Sequence, residues 1–529
     1  MQGISYEEAL KRYQNDEEHA LPEMSELLRD YHPDYYQGSI VDLKIGPNKG
    51  DPCHRQLAES LQADSRIDEA DLAGTSITET NVLVIGGGGA GCAAALTAAK
   101  HGAKVILATK LRLGDSNTVM AEGGIQASIE PNDTLQDHYN DTLKAGHFQA
   151  DKELVSVMVK EAPDVIRWLI KEGMQFDANE FGDLLTRRPG GASANRVVYY
   201  RDYTGLEMMR VLRESVCNND IDVWAHSPAV ELLTSETGHC AGAVLYSIEK
   251  GAYKIIKAQS VILATGGIGR MHLNNFPTTN HFGATGDGLV LAYRLGAKIR
   301  DLDSFQYHPT GIAYPSHIAG SLITEGVRSA GVQLLNGMGE RFVDELKPRD
   351  YVSAAILREC AEGRGIVVGD EDDSAIGVWL DTPNMERREP GMMMKRFPKL
   401  FQLAQRGNLD PAKNPMLIYP SLHYQNGGVV IDVNGQSTVP DLYCIGEVSG
   451  GIHGRNRIMG NALLEIICFG RRAGRKAAQS ISARRGHKKS TIEHLSRLRR
   501  ELSLADLPMN IKSPMLFPTC SNFKIDIKK

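Results

Sequence analysis

Three glycines, Gly86, Gly88 and Gly91, carry the clearest chemical signal in the sequence, in the stretch NVLVIGGGGAGCAAA (81–95). Apolar residues run directly into this Gly-x-Gly-x-x-Gly pattern, and small helix-forming residues follow it. The pattern is typical of a strand, a tight turn and a helix whose N-terminus binds the pyrophosphate of a dinucleotide. One glycine makes the turn, one lets the backbone approach the phosphates, and one packs the helix against the strand.

The residues after the turn indicate which dinucleotide is bound. An NAD-binding turn has an acidic residue about 20 positions later, whereas the second strand here ends at Thr109 and Lys110. Without that acid the glycine pattern is weak evidence, and coincidence is a fair alternative. Other glycine-bearing segments lie far downstream, at 114–128, 262–267, 284–288 and 441–447. A ligand that all of these segments contact must be large, so FAD suits the chain better than NAD.

The elements that must position these residues alternate between strands and helices. Apolar runs predict strands at 81–85, 103–109, 260–267 and 441–447, and helical periodicity is found at 5–18, 90–100 and 153–171. This alternation predicts an α/β fold. The acidic stretch at 369–373 is expected to be a solvated loop, and the three methionines at 392–394 a loop or a packing contact.

The composition excludes several classes of protein. The chain has 529 residues, 42% hydrophobic and 23% charged, which is ordinary for a globular protein, and its net charge of −6 argues against broad nucleic-acid binding. No apolar stretch approaches the roughly 18 residues that span a bilayer, and the N-terminus does not resemble a signal peptide. The eight cysteines form no Cys-x-x-Cys pair, so neither zinc nor an iron–sulfur cluster is expected. We expect a cytoplasmic protein that reaches a membrane only through a partner.

Many ordered motifs resemble the flavoprotein subunit of the fumarate reductase and succinate dehydrogenase family, which also includes L-aspartate oxidase. The resemblance covers about 80–480. Besides the glycine turn, the motifs are SNTVMAEGG, ATGDG, FQYHPTG, LITEGVR, GERF, PRDYVSAA, LHYQNGG and GEVSGGIHGRNRIMGNALLE.

The resemblance implies a Rossmann-like FAD-binding domain with an inserted α+β capping domain. The FAD-binding domain is expected at 80–301 with a return segment at 421–480, and the capping domain at 302–420. Residues 1–79 are expected to be an extension outside the core, and 481–529 a short basic tail. Both ends are expected to carry partner contacts.

The resemblance also implies a site in which a dicarboxylate is reduced by hydride transfer from flavin N5. His308, Thr324, His423 and Arg457 would hold the carboxylates, with His308 also polarising the alkene. Arg349 would donate a proton, and Glu325 with Arg328 would resupply it. Taken one at a time, the histidines could be structural, Arg349 could pair with Asp350 at a helix start, and Glu325 with Arg328 could be a simple ion pair.

The expected contacts to FAD come from every part of the family match. They are Gly86, Gly88, Gly91, Thr109, Lys110, Ser116, Asn117, Thr118, Gly123, Gly124, Ala264, Thr265, Gly266, Asp287, Tyr424, Glu447, Arg457, Asn461 and Leu463.

Two positions depart from the family pattern. Membrane-bound members carry a histidine bonded covalently to the flavin where this chain has Asn117, so FAD is expected to be non-covalent. A non-covalent flavin has a lower potential, which favours reduction of the alkene. Arg455 stands where alanine is usual, and its place beside Arg457 is expected to alter substrate choice.

Three functions remain open from the sequence. The first is the flavoprotein subunit of a fumarate reductase that receives electrons from an iron–sulfur subunit or another electron-transfer partner. The second is an L-aspartate oxidase that forms iminoaspartate. The third, of another class, is an FAD-bearing structural or relay subunit without dicarboxylate activity.

Overall fold

A computed structural model describes residues 24–370, 374–481 and 490–518. The helix expected at 5–18 lies outside these residues. So do most of the expected acidic loop and parts of the basic tail.

The main sheet contains eight strands among the described residues. They are, in spatial order, Ser490–Thr491, Ala229–Ser235, Cys240–Ser247, Ala252–Leu263, Ile77–Ile85, Val105–Ala108 and Ile221–Trp224, with Leu442–Cys444 pairing to Ala252–Leu263. The segment 261–263 runs parallel to 83–85 on one side and to Leu442–Cys444 on the other. Strands buried on both faces have continuous apolar sequences. The four strands predicted from such sequences are confirmed.

Two long helices pack together against this sheet. Gly89–Lys100 begins at the glycine turn, and Asn461–Ile481 lies beside it because both present small residues at their contact. A Cβ at Gly474 would lie 2.3 Å from the Ala94 carbonyl oxygen, so this close approach requires glycine. The helices predicted at 90–100 and 153–171 are confirmed as Gly89–Lys100 and Lys152–Lys171.

A second sheet has its own apolar cluster. Among the described residues its strands are Phe305–Ile312, Met416–Gln425, Ala375–Leu380 and Leu334–Leu335, with Ile366–Val368 pairing to Ala375–Leu380. Its helices are Glu325–Ser329, Arg349–Ala361, Thr382–Arg388, Met392–Arg396 and Pro398–Arg406. The stretch 392–394 is therefore helical, with Met393 buried. The mixed α/β fold is confirmed, while the exact domain boundaries stay predictions.

The expectation that residues 1–79 lie outside the core is wrong for the described part of this region. Leu43, Cys53, Leu57 and Leu61 are buried in the same apolar cluster as the main sheet. The reason is that the short helix Arg55–Leu61 places its apolar side chains one turn apart, so they form one buried face.

The remaining elements surround these two sheets. The helices are Met24–Tyr31, Leu135–Ala145, Asn117–Met120, Thr204–Cys217, Asp287–Leu295 and His494–Leu504. Two short strand pairs are Ile40–Asp42 with Pro52–His54, and Asp64–Ser65 with Lys512–Ser513. In a first three-stranded sheet, Val197–Val198 pairs with both Ile125–Gln126 and Thr186–Arg187. In a second, Gly428–Val430 pairs with both Ile299–Arg300 and Ser449–Gly450. Within the described ranges, none of the helices has the length and apolarity needed to cross a bilayer.

Candidate active site

A cavity of about 610 Å³ opens between the two sheets, within the range of roughly 300–1,000 Å³ typical of small-molecule sites. Most residues predicted from the sequence line it. They are Gly86, Gly88, Thr109, Lys110, Ser116, Asn117, Thr118, Gly123, Gly124, Ala264, Thr265, Gly266, Asp287, His308, Thr324, Glu325, Arg349, His423, Tyr424, Glu447, Arg457 and Leu463.

Three predicted site residues do not line the cavity. Gly91 packs the helix onto the turn, since a Cβ there would lie 1.9 Å from the Gly86 carbonyl oxygen. Asn461 faces the other way, with its amide bonded to His138 Nε2 at 2.9 Å and donating to Thr142 Oγ1 at 3.0 Å. The Asn461 side chain is therefore not part of the cavity lining, and a contact of Asn461 with the cofactor stays a prediction. Arg328 lies behind Glu325 and is fully buried.

The glycine turn at one end of the cavity is suited to a dinucleotide. Gly88 precedes the helix Gly89–Lys100 without a side-chain cap; the amide of Gly89 donates to Thr118 Oγ1 at 3.2 Å, and the helix N-terminus on the cavity wall is suited to a phosphate. Gly86 has φ +120°, and a Cβ there would lie 2.2 Å from the Ala264 carbonyl oxygen. The turn therefore forms a cradle that larger residues would fill.

Lys110 and Asp287, predicted separately as cofactor contacts, form an ion pair on the cavity wall. The Lys110 Nζ donates to Asp287 Oδ2 at 2.7 Å and to Thr285 Oγ1 at 2.7 Å. The pair joins the end of the second strand to the start of the helix Asp287–Leu295. Lys110 and Asp287 are 177 positions apart in the sequence, so no local sequence pattern predicts their contact.

At the other end of the cavity, a carboxylate lies between two guanidinium groups. Arg349 Nε donates to Glu325 Oε2 at 2.7 Å, and Arg328 Nη2 lies 3.2 Å from the same oxygen. The amide of Gly190 donates to Glu325 Oε1 at 2.7 Å. Burial raises the pKa of Glu325, but the charges of Arg349 and Arg328 outweigh burial and lower it to about 2. Glu325 is therefore an anion at neutral pH.

Local sequence explains why these groups meet. Glu325 and Arg349 are the first residues of two helices, Glu325–Ser329 and Arg349–Ala361. Thr324 caps the first helix through its side chain, which accepts from the amide of Gly326 at 3.3 Å, and Pro348 precedes the second. Each helix start thus fixes one charged side chain at the cavity.

Gln306, which is absent from the predicted site residues, holds the two cavity arginines together. Its Oε1 accepts from Arg349 Nη1 at 3.0 Å and from Arg457 Nη2 at 3.1 Å. Its Nε2 donates to Asn456 Oδ1 at 2.8 Å. The sequence could have indicated Gln306, because side chains two positions apart on a strand lie on the same face and Gln306 precedes His308 by two positions.

Neutral imidazoles complete this end of the cavity. Burial and the charge of Arg349 lower the pKa of His308 well below its usual value. Its Nδ1 accepts from the Thr310 amide at 3.2 Å, so the proton of the neutral ring is on Nε2. Burial and nearby arginines likewise lower the pKa of His423, whose Nδ1 bonds to Thr279 Oγ1 at 2.7 Å.

Arg457 lies over the ring of Tyr424, with its guanidinium carbon 4.3 Å from the ring centroid. Burial, followed by the charge of Arg349, lowers the pKa of Arg457 to about 10, so it is still cationic at neutral pH. Fixed guanidinium groups and a neutral N–H donor are the groups that bind a carboxylate. This end of the cavity, here called the anion site, therefore has the groups suited to bind an anion.

Asn117 is held by several bonds. Its Nδ2 donates to Asn280 Oδ1 at 2.6 Å and to Glu447 Oε2 at 3.2 Å, and its Oδ1 accepts from the His281 amide at 2.6 Å. Burial raises the pKa of Glu447 to about 7. The side-chain amide of Asn117 thus links its own loop to the return segment that contains Glu447.

Arg455 does not reach the cavity. Its guanidinium forms two bonds with Asp303, Nη1 to Oδ1 at 3.0 Å and Nη2 to Oδ2 at 3.1 Å. This ion pair holds the Arg455 side chain away from the cavity, and an effect of Arg455 on substrate choice stays a prediction.

The FAD binding domain family matches residues 81–463 of the chain. A fumarate reductase (CoM/CoB) subunit from Methanothermobacter marburgensis is 40% identical over 79% of this chain and 76% of its own length. An L-aspartate oxidase from Streptomyces coelicolor is 36% identical, over 76% of this chain and 69% of its own. A succinate dehydrogenase flavoprotein subunit from Rickettsia felis is 34% identical, over 77% and 71%. A mutant of the E. coli quinol fumarate reductase FrdA has a TM-score of 0.71 at 29% identity, over 81% of this chain and 74% of its own.

Replacing Glu325 by Gln should destabilise the protein, because it leaves two buried guanidinium groups without their shared anion. We expect the free energy of unfolding in urea at pH 7 to fall by about 3–5 kcal/mol. Since the pKa of Glu325 is lowered to about 2, its contribution is complete above about pH 4.5. It is lost as the pH falls through about 2, so the deficit of the variant should narrow there.

The matched control is Asp164→Asn, which breaks exposed ion pairs with Arg167 and Arg471 and should change stability by less than about 1 kcal/mol. A Glu325→Gln variant as stable as this control would contradict the role assigned to the buried carboxylate.

Proposed function

We propose that this protein reduces fumarate to succinate. The premise is its family, because the chain belongs to the FAD-binding flavoproteins of fumarate reductase, succinate dehydrogenase and L-aspartate oxidase. A closely related unsaturated dicarboxylate is included in this proposal. As a member of the family the protein is an FAD-dependent oxidoreductase acting on CH–CH bonds. The observation that carries the finer proposal is the ion pair between Arg349 and Glu325 at the anionic-ligand end of the cavity.

Arg349 is suited to deliver the proton. Its Nε and Nη1 are engaged by Glu325 and Gln306, and its Nη2 makes no hydrogen bond to the described residues, although the side chain lines the cavity. Arginine is a weak acid, with a pKa above about 12. It can serve as a donor to a carbanion-like carbon if a neighbouring group immediately restores its proton. Because Glu325 is an anion, it would carry a proton from Arg328 to Arg349 rather than supply one of its own, and solvent would restore the proton of Arg328.

The carboxylates of the substrate would be held by His308, Thr324, His423 and Arg457. The His308 Nε2–H and the Arg457 guanidinium donate to oxygens on which negative charge increases as the alkene is reduced, so they stabilise the transition state. Because both histidines are neutral, the charge opposite the substrate comes from the arginines. When bound, FAD supplies the hydride to one alkene carbon.

FAD would be held without a covalent bond, by the glycine cradle at Gly86 and Gly88, the Lys110–Asp287 pair and the loop containing Asn117. The amide of Asn117 is engaged with Asn280 and Glu447, and an amide does not form the flavin bond that a histidine forms.

L-aspartate oxidase is the second candidate, favoured by the 36% identity to such an enzyme. Its substrate carries an ammonium group, which requires an acceptor. The carboxylate beside the anion site, Glu325, is already bound by Arg349 and Arg328, and a cluster of guanidinium groups repels an ammonium. The electrostatics of the cavity therefore favour fumarate over aspartate.

The electrons would come from a partner. A similar protein is named as one subunit of a fumarate reductase, and we propose that this chain is likewise the flavoprotein subunit of an electron-transfer complex with an iron–sulfur or equivalent subunit. A cytoplasmic location, with membrane contact only through that partner, stays a prediction.

Arg349→Lys tests the proposed chemistry. The purified protein should oxidise reduced viologen with fumarate and should not oxidise aspartate, as followed by absorbance. Because lysine cannot keep both the Glu325 and the ligand contacts of a planar guanidinium, turnover should fall by about 10²–10⁴-fold, with the flavin content unchanged.

Arg358→Lys, in the same helix but paired with Glu359, should keep wild-type turnover. An Arg349→Lys variant as active as Arg358→Lys would contradict the role of Arg349 as proton donor, whereas a wild-type protein that turns over neither fumarate nor aspartate would support the alternative of an electron relay without dicarboxylate activity. Oxidation of aspartate without reduction of fumarate would establish the oxidase instead.

Acid precipitation tests the mode of flavin binding. Since Asn117 replaces the covalent histidine, all yellow colour should remain in the supernatant, and the mass of the denatured polypeptide should equal that of the sequence alone. Yellow flavin in the pellet, with a matching increase in mass, would refute non-covalent binding.

A further inference from the structure

The helix Pro398–Arg406, here called the mouth helix, presents one face to the cavity. Lys399, Gln402, Leu403 and Arg406 all line it, and their spacing of i, i+3, i+4 and i+7 places them on one side of a helix. Gln402 and Arg406 are also exposed to solvent. A residue that both lines a cavity and meets solvent lies at its mouth.

The opposite rim comes from the helix Thr204–Cys217 and the residue before it. Tyr203 and Leu206 line the cavity, and Leu206 is 48% exposed. The opening therefore lies between two helices, one from each side of the cavity.

The first turn of the mouth helix is bound to the main-sheet side. Lys399 Nζ lies 2.9 Å from Glu122 Oε1, and Asp202 Oδ2 accepts from the backbone amides of Lys399 at 2.9 Å and Leu400 at 3.3 Å. The charge of Lys399 is therefore neutralised by a carboxylate and contributes little attraction for an anion.

Arg406, at the last turn, differs from Lys399. Within the described ranges, no carboxylate lies within ion-pair distance of its guanidinium. Its backbone carbonyl accepts from His317 Nε2 at 2.7 Å, which ties this end of the helix to the segment leading to Thr324. Arg406 is thus an unneutralised cation at the rim.

Residues of the cavity wall lead from the rim to the anion site. Ser321 and Leu322 both line the cavity and precede Thr324 in an extended segment, since Ile312 N donates to Ser321 O and Ile323 N to Thr310 O. An extended chain advances about 3.3 Å per residue, so Ser321 and Thr324 are separated by roughly 10 Å. This is about one Debye length at 0.1 M salt.

We propose that Arg406 captures the dicarboxylate at the mouth and directs it along Ser321 and Leu322 to Thr324. This inference rests on the proposed function, because it concerns the entry of the same substrate. A cation at the rim of a low-dielectric cleft raises the local concentration of an anion and its association rate. The effect is largest at low ionic strength, where the charge is least screened.

The test measures association of malonate, an unreactive dicarboxylate, with the flavin-loaded protein by stopped-flow absorbance of the flavin. At about 0.01 M ionic strength we expect the association rate constant to fall about four-fold in Arg406→Gln and more than about ten-fold in Arg406→Glu. At about 0.5 M the variants should differ from wild type by less than about two-fold. With fumarate as substrate, kcat/KM should follow the same pattern while kcat stays constant.

Arg396→Glu is the matched control, since Arg396 is exposed in the neighbouring helix and does not line the cavity. It should behave as wild type. An equal fall in Arg396→Glu would show an effect of net charge alone, and a fall independent of salt would show a structural role. Either result, or wild-type association in Arg406→Glu, would overturn the inference.

The same data separate this inference from the proposed function. Malonate binding that depends on Arg406 in a protein without fumarate turnover would refute the reaction and keep the entry route. Fumarate turnover without any dependence on Arg406 would refute the entry route and keep the reaction. A wild-type protein that neither binds malonate nor reduces fumarate would refute both.

Discussion

A carboxylate buried between two guanidinium groups is the interaction on which the anionic-ligand end of the cavity depends. Glu325, Arg349 and Arg328 are almost fully removed from water, and a charge buried without its partner costs several kcal/mol. The starts of the helices Glu325–Ser329 and Arg349–Ala361 must therefore stay together. The same requirement fixes the orientation of Arg349 at the cavity wall, so the interaction that holds the two helix starts together also positions the residue proposed as the proton donor.

The two sheets contribute different properties to one cavity. The main sheet ends in a glycine turn whose backbone lies on the cavity wall, while the strands of the second sheet place His308 and His423 at the other end of the cavity. Gln306 joins the arginines there, because its Oε1 is shared by Arg349 and Arg457. The glycine turn and the cluster of arginines and histidines thus line the same cavity, as the proposed transfer of hydride requires.

The sequence predicts those features that have a local cause. The buried strands and the glycine turn follow from apolar runs and from spacing, and the family motifs identify most of the residues that line the cavity. The sequence does not indicate where the side chains of Asn461 and Arg455 turn, because neighbouring positions in the chain do not determine side-chain orientation. Asn461 is held by Thr142 and Arg455 by Asp303, contacts between segments more than 150 positions apart. The burial of Leu57 likewise depends on tertiary packing.

A crystal structure of the flavin-loaded protein with bound malonate would show whether Arg349 and the flavin meet the same ligand. We predict a malonate carboxylate within about 3.2 Å of Arg457 and His308. Arg349 should lie at hydrogen-bond distance from the dianion while still paired with Glu325, and the flavin ring should lie against the same ligand. Malonate bound elsewhere, or an Arg349 side chain turned away from both ligand and flavin, would contradict the proposed reaction.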